Sequence, residues 1–246
     1  LRKAARTLLI IALTLAICLS GYELWKISEQ YILEARIKDE MAKFIPEAED
    51  AESDEPAQEA AVEAKGNPWV ADMQTDVNSD IVGWLKIPET QIDYPFVLAG
   101  DNNYYLRRNL YGKYAAAGSI FMDYRCKEDL TSFNTVIYGH YMKNNSMFGS
   151  LSFFADEWFF KSNSAGTISL KDDTYSLEIF AYMVVHAEDE VIYSIDAEES
   201  KFFDYVKKNA RNYREPTTRG NVVTLSTCTY EFDDARIVLL AIASPS

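Results

Sequence analysis

A chain of 246 residues, 48% of them hydrophobic, is long enough for one sizeable core plus an appendage and short for two full domains. With 38 acidic against 24 basic side chains it carries a formal charge of -14, which argues against nucleic acid as a partner because phosphate binding needs clustered Lys and Arg. Three cysteines (Cys18, Cys126, Cys228) and two histidines (His140, His186) make a poor disulfide framework and a poor zinc site.

Arg2, Lys3 and Arg6 precede an apolar run from Leu8 to Ser20, and Glu23 and Glu29 follow it. This asymmetry predicts a cytoplasmic N-terminus with the rest of the chain outside. The run is short of the roughly 17–25 residues a spanning helix needs. Extension through Gly21, Tyr22 and Trp25 brings it close, with both aromatics at the interface. A single-pass anchor over residues 1–25 is favoured over a cleaved signal peptide, because the run passes into a helical pattern without a clear small-x-small site. From Tyr22 to Phe44, Leu24, Ile27, Tyr31, Leu33, Ile37 and Met41 recur at roughly helical spacing. An Ala/Glu/Asp-rich stretch follows Pro46 and reads as a linker held extended by its like charges until Gly66-Asn67-Pro68. Residues 26–66 are therefore expected to be stalk and acidic linker, and 67–246 one domain.

Past Pro68, short apolar or alternating runs are separated by turn residues: 81–87, 92–97, 135–138, 167–170, 175–185, 222–228 and 236–243. Such a series predicts a mainly β barrel or sandwich. Two helices should interrupt it. One covers Met147 to about Phe160; the other covers Ala197 to about Tyr213, with Asp196 as N-cap and Glu199 completing a capping box.

The residues able to do chemistry gather near the C-terminus. If 222–228 and 236–243 pair as a hairpin centred near Phe232, Cys228 and Arg236 stand opposite each other on one face. A lone strand cysteine is usually a small buried hydrophobe. An arginine facing it changes that reading, since a guanidinium there needs an anion, and it favours a thiolate or holds an oxyanion. A cysteine nucleophile also needs a proton carrier. His140 ends the apolar run Ile137-Tyr138-Gly139 and is preferred to His186, which sits beside Glu188, Asp189 and Glu190. Taken singly, His140 is better explained as a strand-end structural residue. Cys126 lies in a polar loop whose basic neighbours would raise its reactivity, and it receives no role. Asp233 and Asp234 read as turn residues.

Thr224-Leu225-Ser226-Thr227-Cys228 followed by Arg236 resembles the signature of sortases, and Tyr138-Gly139-His140 matches their histidine motif. The run 118–123 resembles the segment ahead of that motif, and the runs 80–88, 92–95, 102–106 and 146–149, with the helix ahead of the cysteine strand, resemble class B members. The resemblance extends from about Asn78 to Ala243. It implies an eight-stranded β-barrel with an N-terminal helix and an inserted helix. It further implies a cysteine transpeptidase in which Cys228 forms a thioacyl intermediate, His140 carries protons and Arg236 stabilises the oxyanion. The implied partners are surface proteins with a C-terminal sorting motif and an acceptor amine, from a peptidoglycan precursor or, in the alternative, a pilin lysine. Asn102, Leu106, Ile192, Tyr193, Ser226 and Thr227 would bind the motif, and the Thr229 amide would add to the oxyanion hole. No cofactor or metal is expected, and calcium-binding residues of some family members do not map clearly here. A non-catalytic surface-binding domain on an acidic stalk is the reading from a different class.

Overall fold

The amino-terminal apolar run and the helical pattern behind it form one continuous helix, α1 (Arg2–Ala42). Ala, Leu and Ile dominate its first half and no proline interrupts it. By length and composition Leu9–Ala42 is able to cross a membrane. The computed structural model describes residues 2–46, 66–228 and 233–246, with the backbone alone for 2–5, 8 and 228. The predicted acidic linker falls largely outside these residues, as do Thr229 and the hairpin tip around Phe232. The chain divides into two units, Leu1–Ala42 and Lys43–Ser246.

The second unit opens with α2 (Pro68–Asp76), a short helix that begins on a proline and buries Val70 and Met73. The strands β1 (Ile81–Lys86), β2 (Asp93–Val97), β3 (Ile120–Met122) and β4 (Asn134–Tyr138) follow. Next come α3 (Glu157–Ser162), β5 (Ala165–Leu170), β6 (Thr174–His186), α4 (Glu199–Asn209), β7 (Asn212–Tyr213), β8 (Asn221–Cys228) and β9 (Ala235–Pro245). The sheet runs β5-β1-β2-β3-β4-β8-β9-β6, and pairing of β6 with β5 closes it into the expected eight-stranded barrel. Closure removes the free edges that an open sheet would expose. The two-residue β7 is an appendage on β6.

Strand alternation sorts the wall into two faces. Val223, Leu225, Ile237, Leu239 and Ala241 belong to the cluster that fills the barrel. Val222, Val238, Leu240 and Ile242 pack on the other face with Phe202 and Val206 of α4. The register pairs Ser226 with Val238 and Cys228 with Arg236, so positions 226, 228 and 236 share this second face.

Both predicted helices are shorter than their sequence patterns suggest. The first breaks at Asp156, which is extended (ψ 125°) and caps α3 by accepting from the Phe159 amide at 2.8 Å. Ahead of it lies a 3-10 turn, Gly149–Ala155. The second runs only from Glu199 to Asn209. Asp196 does not cap it; Glu198 occupies that position and bonds Ser200 and Lys201 instead. Ala210 turns extended, and Asn212 and Tyr213 leave the helix to pair with β6. Backbone hydrogen bonds from the Arg211 amide to the Tyr182 carbonyl and from the Arg214 amide to the Phe180 carbonyl, both 2.9 Å, outcompete one more helical turn.

Gly118 fixes the loop that later carries Leu106. Its φ is +59°, and a Cβ would lie 2.5 Å from the Tyr105 carbonyl oxygen and 2.6 Å from that of Leu106. Only glycine allows this approach without strain. Gly118→Ala is expected to destabilise the protein by about 2–3 kcal/mol, read as a lower urea midpoint at unchanged m-value.

Candidate active site

A cleft of about 260 Å³ opens where the carboxyl ends of the parallel strands β4 and β8 meet the start of β9. Tyr138 pairs with Ser226 as the last rung of β4, and the Gly139 amide still donates to the Ser226 carbonyl at 3.1 Å. The Phe148 ring packs on Gly139 so closely that a Cβ there would lie 2.7 Å from it. This sets the chain direction into His140, whose carbonyl accepts from the Phe148 amide at 3.1 Å.

The His140 ring is half-buried, with Nε2 2.7 Å from the Leu106 carbonyl oxygen. A carbonyl only accepts, so Nε2 carries the hydrogen, and in the neutral ring Nδ1 is the unprotonated nitrogen. Arg236 lines the same cleft, half-buried, and donates to the Ala235 carbonyl at 3.0 Å. Among the described residues no Asp or Glu pairs with it, so most of its five donors remain to meet an anion. Cys228 is known here by its backbone: it ends β8 directly across from Arg236, next to Thr227 in the cleft wall.

The rest of the cleft wall is aromatic and polar. The Tyr138 and Tyr193 rings stack at 6.2 Å with 25° between planes, and the Tyr193 and Ser226 hydroxyls lie 2.9 Å apart. Phe121 lies 5.3 Å from the Tyr138 ring. The Tyr138 hydroxyl donates to the fully buried Asp123 carboxylate at 3.0 Å. Burial first, then the adjacent Asp123 charge, push the Tyr138 phenol up, so it acts as a donor. For Asp123 burial pushes the pKa up, but hydrogen bonds from the Arg125 side chain and backbone and from Asn102 win and hold it below its ordinary value.

His140, Arg236, Asn102, Leu106, Tyr193, Ser226 and Thr227 thus line one cleft. Ile192 does not reach it: the side chain is fully buried in the cluster beneath α4 with Phe180 and Phe202. His186 is exposed at the end of β6, outside the cleft, and its Nδ1 accepts from the Glu188 amide at 3.2 Å. Cys126 is not the reactive loop thiol its neighbours suggest. It is buried, accepts from the Val136 amide at 3.4 Å, and burial pushes its thiol up to about 11. Asp234 is a turn residue with φ +55° whose carbonyl receives the Ala187 amide. Tyr138, Phe121 and Ala187 also line the cleft and were not among the expected residues. Strand alternation offers the signal for Tyr138, which lies two positions ahead of His140.

Comparison with known proteins bears on the same segments. The sortase domain family model matches residues 85–244. Sortase B of Listeria monocytogenes is 36% identical over 162 residues, 64% of this chain and 66% of that protein. The crystal structure of sortase B from Bacillus anthracis superimposes with a TM-score of 0.70 at 30% identity, covering 89% of this chain and 99% of that one. A class B sortase of Streptococcus pyogenes involved in pilus biogenesis has a TM-score of 0.66 at 31% identity, covering 71% of this chain and 97% of that one. A domain match over most of the barrel, with a relative and a structure named sortase B and a second structure named a class B sortase, leaves one assignment: this chain belongs to the sortase family of cysteine transpeptidases, in its class B branch.

Proposed function

We propose that this enzyme cuts a C-terminal sorting motif of surface proteins and passes the acyl group to a cell-wall amine, with Cys228 as nucleophile. The observation that carries the reading is the register that sets Cys228 across from Arg236, at a cleft that also holds His140. The Cys228 thiol gives its proton to His140, its sulfur adds to the carbonyl carbon of the motif's threonine, and Arg236 holds the resulting oxyanion. As the intermediate collapses, the C–N bond breaks, His140 protonates the leaving amine, and a thioester to Cys228 remains. The acceptor amine then attacks, gives its proton to His140, and releases the thiolate. Asn102, Leu106, Tyr193, Ser226 and Thr227 read the peptide along the cleft.

The N-terminal helix serves as a single-pass anchor in this reading. Arg2, Lys3 and Arg6 stay on the cytoplasmic side and the catalytic domain works outside. A second reading uses the same chemistry with a pilin lysine as acceptor, favoured by likeness to the Streptococcus pyogenes enzyme involved in pilus biogenesis.

The test incubates the full chain in detergent with sorting peptides of Asn-Pro and Leu-Pro type, alone and with either acceptor amine. Peptide mapping should place an acyl adduct on Cys228, discharged by one acceptor in preference to the other. An adduct elsewhere, or turnover without one, would overturn the assignment.

A further inference from the structure

Behind the cleft wall, Asp123 and Arg125 collect hydrogen bonds from three separate chain segments. Asp123 is fully buried, and its Oδ1 accepts from the Arg125 amide at 3.0 Å and Nε at 2.8 Å. Its Oδ2 accepts from the other arm of the guanidinium at 2.8 Å, Asn102 Nδ2 at 3.0 Å and the Tyr138 hydroxyl at 3.0 Å. Arg125 also donates to the Tyr193 carbonyl at 3.3 Å. Asn102 comes from the loop after β2, Tyr138 from the end of β4, and Tyr193 from the connection between β6 and α4. All three line the cleft, whereas Asp123 and Arg125 do not.

The arrangement leaves the wall no independent part. Asn102 has one amide hydrogen on Asp123, and its oxygen accepts from the Tyr124 amide at 3.0 Å, so the amide has a single orientation. Tyr138 is held by its hydroxyl and stacks on Tyr193, which reaches Ser226 two positions before Cys228. A carboxylate with its forked arginine is a rigid, directional anchor that a lysine could not reproduce.

We propose that Asp123 and Arg125 are positioning residues for peptide recognition, holding Asn102, Tyr138 and Tyr193 in register with the cysteine strand. This inference rests on the proposed peptide-cleaving function. It places the pair's effect on how well the motif is read, and not on the reacting groups.

Arg125→Gln is the main variant because that side chain is 45% exposed and its loss opens no core cavity. Tyr138→Phe, which deletes one hydroxyl, is the second, and Arg125→Lys tests the need for the fork. Each is compared with wild type for KM and kcat on the preferred peptide, for preference over a singly substituted peptide, and for iodoacetamide alkylation mapped to Cys228. Both main variants should raise KM about tenfold and narrow the preference by a similar factor. Alkylation and kcat should stay within about twofold, and Arg125→Lys should recover only part of the loss. Unchanged KM and preference would overturn the proposal. So would a parallel fall of KM performance, kcat and alkylation, which marks a merely structural role. If wild type itself cleaves no peptide, the functional reading fails first and the proposal goes with it.

Discussion

Cys228→Ala should bring peptide cleavage to background, a loss on the order of 10⁴–10⁶ in kcat/KM, because among the described residues lining the cleft only hydroxyls such as Ser226 and Thr227 remain, and these are far weaker nucleophiles than a thiolate. Cys126 cannot substitute: it is buried and its thiol is pushed up to about 11. The position of Arg236 makes a second part of the same test. It faces Cys228 across the β8–β9 ladder and, among the described residues, has no carboxylate partner. Arg236→Ala should cost about 10²–10³ in kcat with little change in KM, as loss of an oxyanion donor does. Arg236→Lys should recover little, since an ammonium offers no planar fork. Steady-state assays of the three variants with one quenched fluorescent peptide settle the matter. Turnover surviving in Cys228→Ala would remove the thioacyl route. A pure KM effect at Arg236 would move that residue from the oxyanion to the peptide backbone.

The barrel was largely legible because its strands are short apolar runs with clear turns, and seven of the nine strands match predicted runs. The pairing of Cys228 with Arg236 was legible too, since hairpin parity depends only on counting residues from the turn. Helix lengths were not. The pattern through Tyr213 is helical in period, but sheet hydrogen bonds to β6 decide the end of α4, and that competition is tertiary. Ile192 and Tyr193 show the same limit within the site. Adjacent residues in an irregular connection carry no period, so nothing in the sequence says that Tyr193 faces the cleft while Ile192 faces the core. The Asp123 network escaped for a related reason. Its donors lie 2, 15 and 21 residues away from it, and the two distant ones are brought in by the pairing of β3 with β4 and by the loop after β2.

His140→Ala is expected to lower kcat about 10²–10⁴-fold, the range for removing a positioned general acid/base. The geometry makes a sharper variant available. Nε2 donates to the Leu106 carbonyl at 2.7 Å, so the neutral ring has one tautomer, with Nδ1 unprotonated. A glutamine at position 140 keeps an N–H donor for the Leu106 carbonyl but cannot carry a proton near neutral pH. If proton transfer is the role, His140→Gln should be as inactive as His140→Ala while melting closer to wild type. If the histidine only closes the loop onto β4, glutamine should restore activity along with stability. The acceptor step gives a further separation. An amine must lose a proton as it attacks the thioester, so in His140→Gln the little acyl enzyme that forms should persist, visible as Cys228 adduct after acceptor is added. Its prompt discharge would assign the second proton transfer to another base.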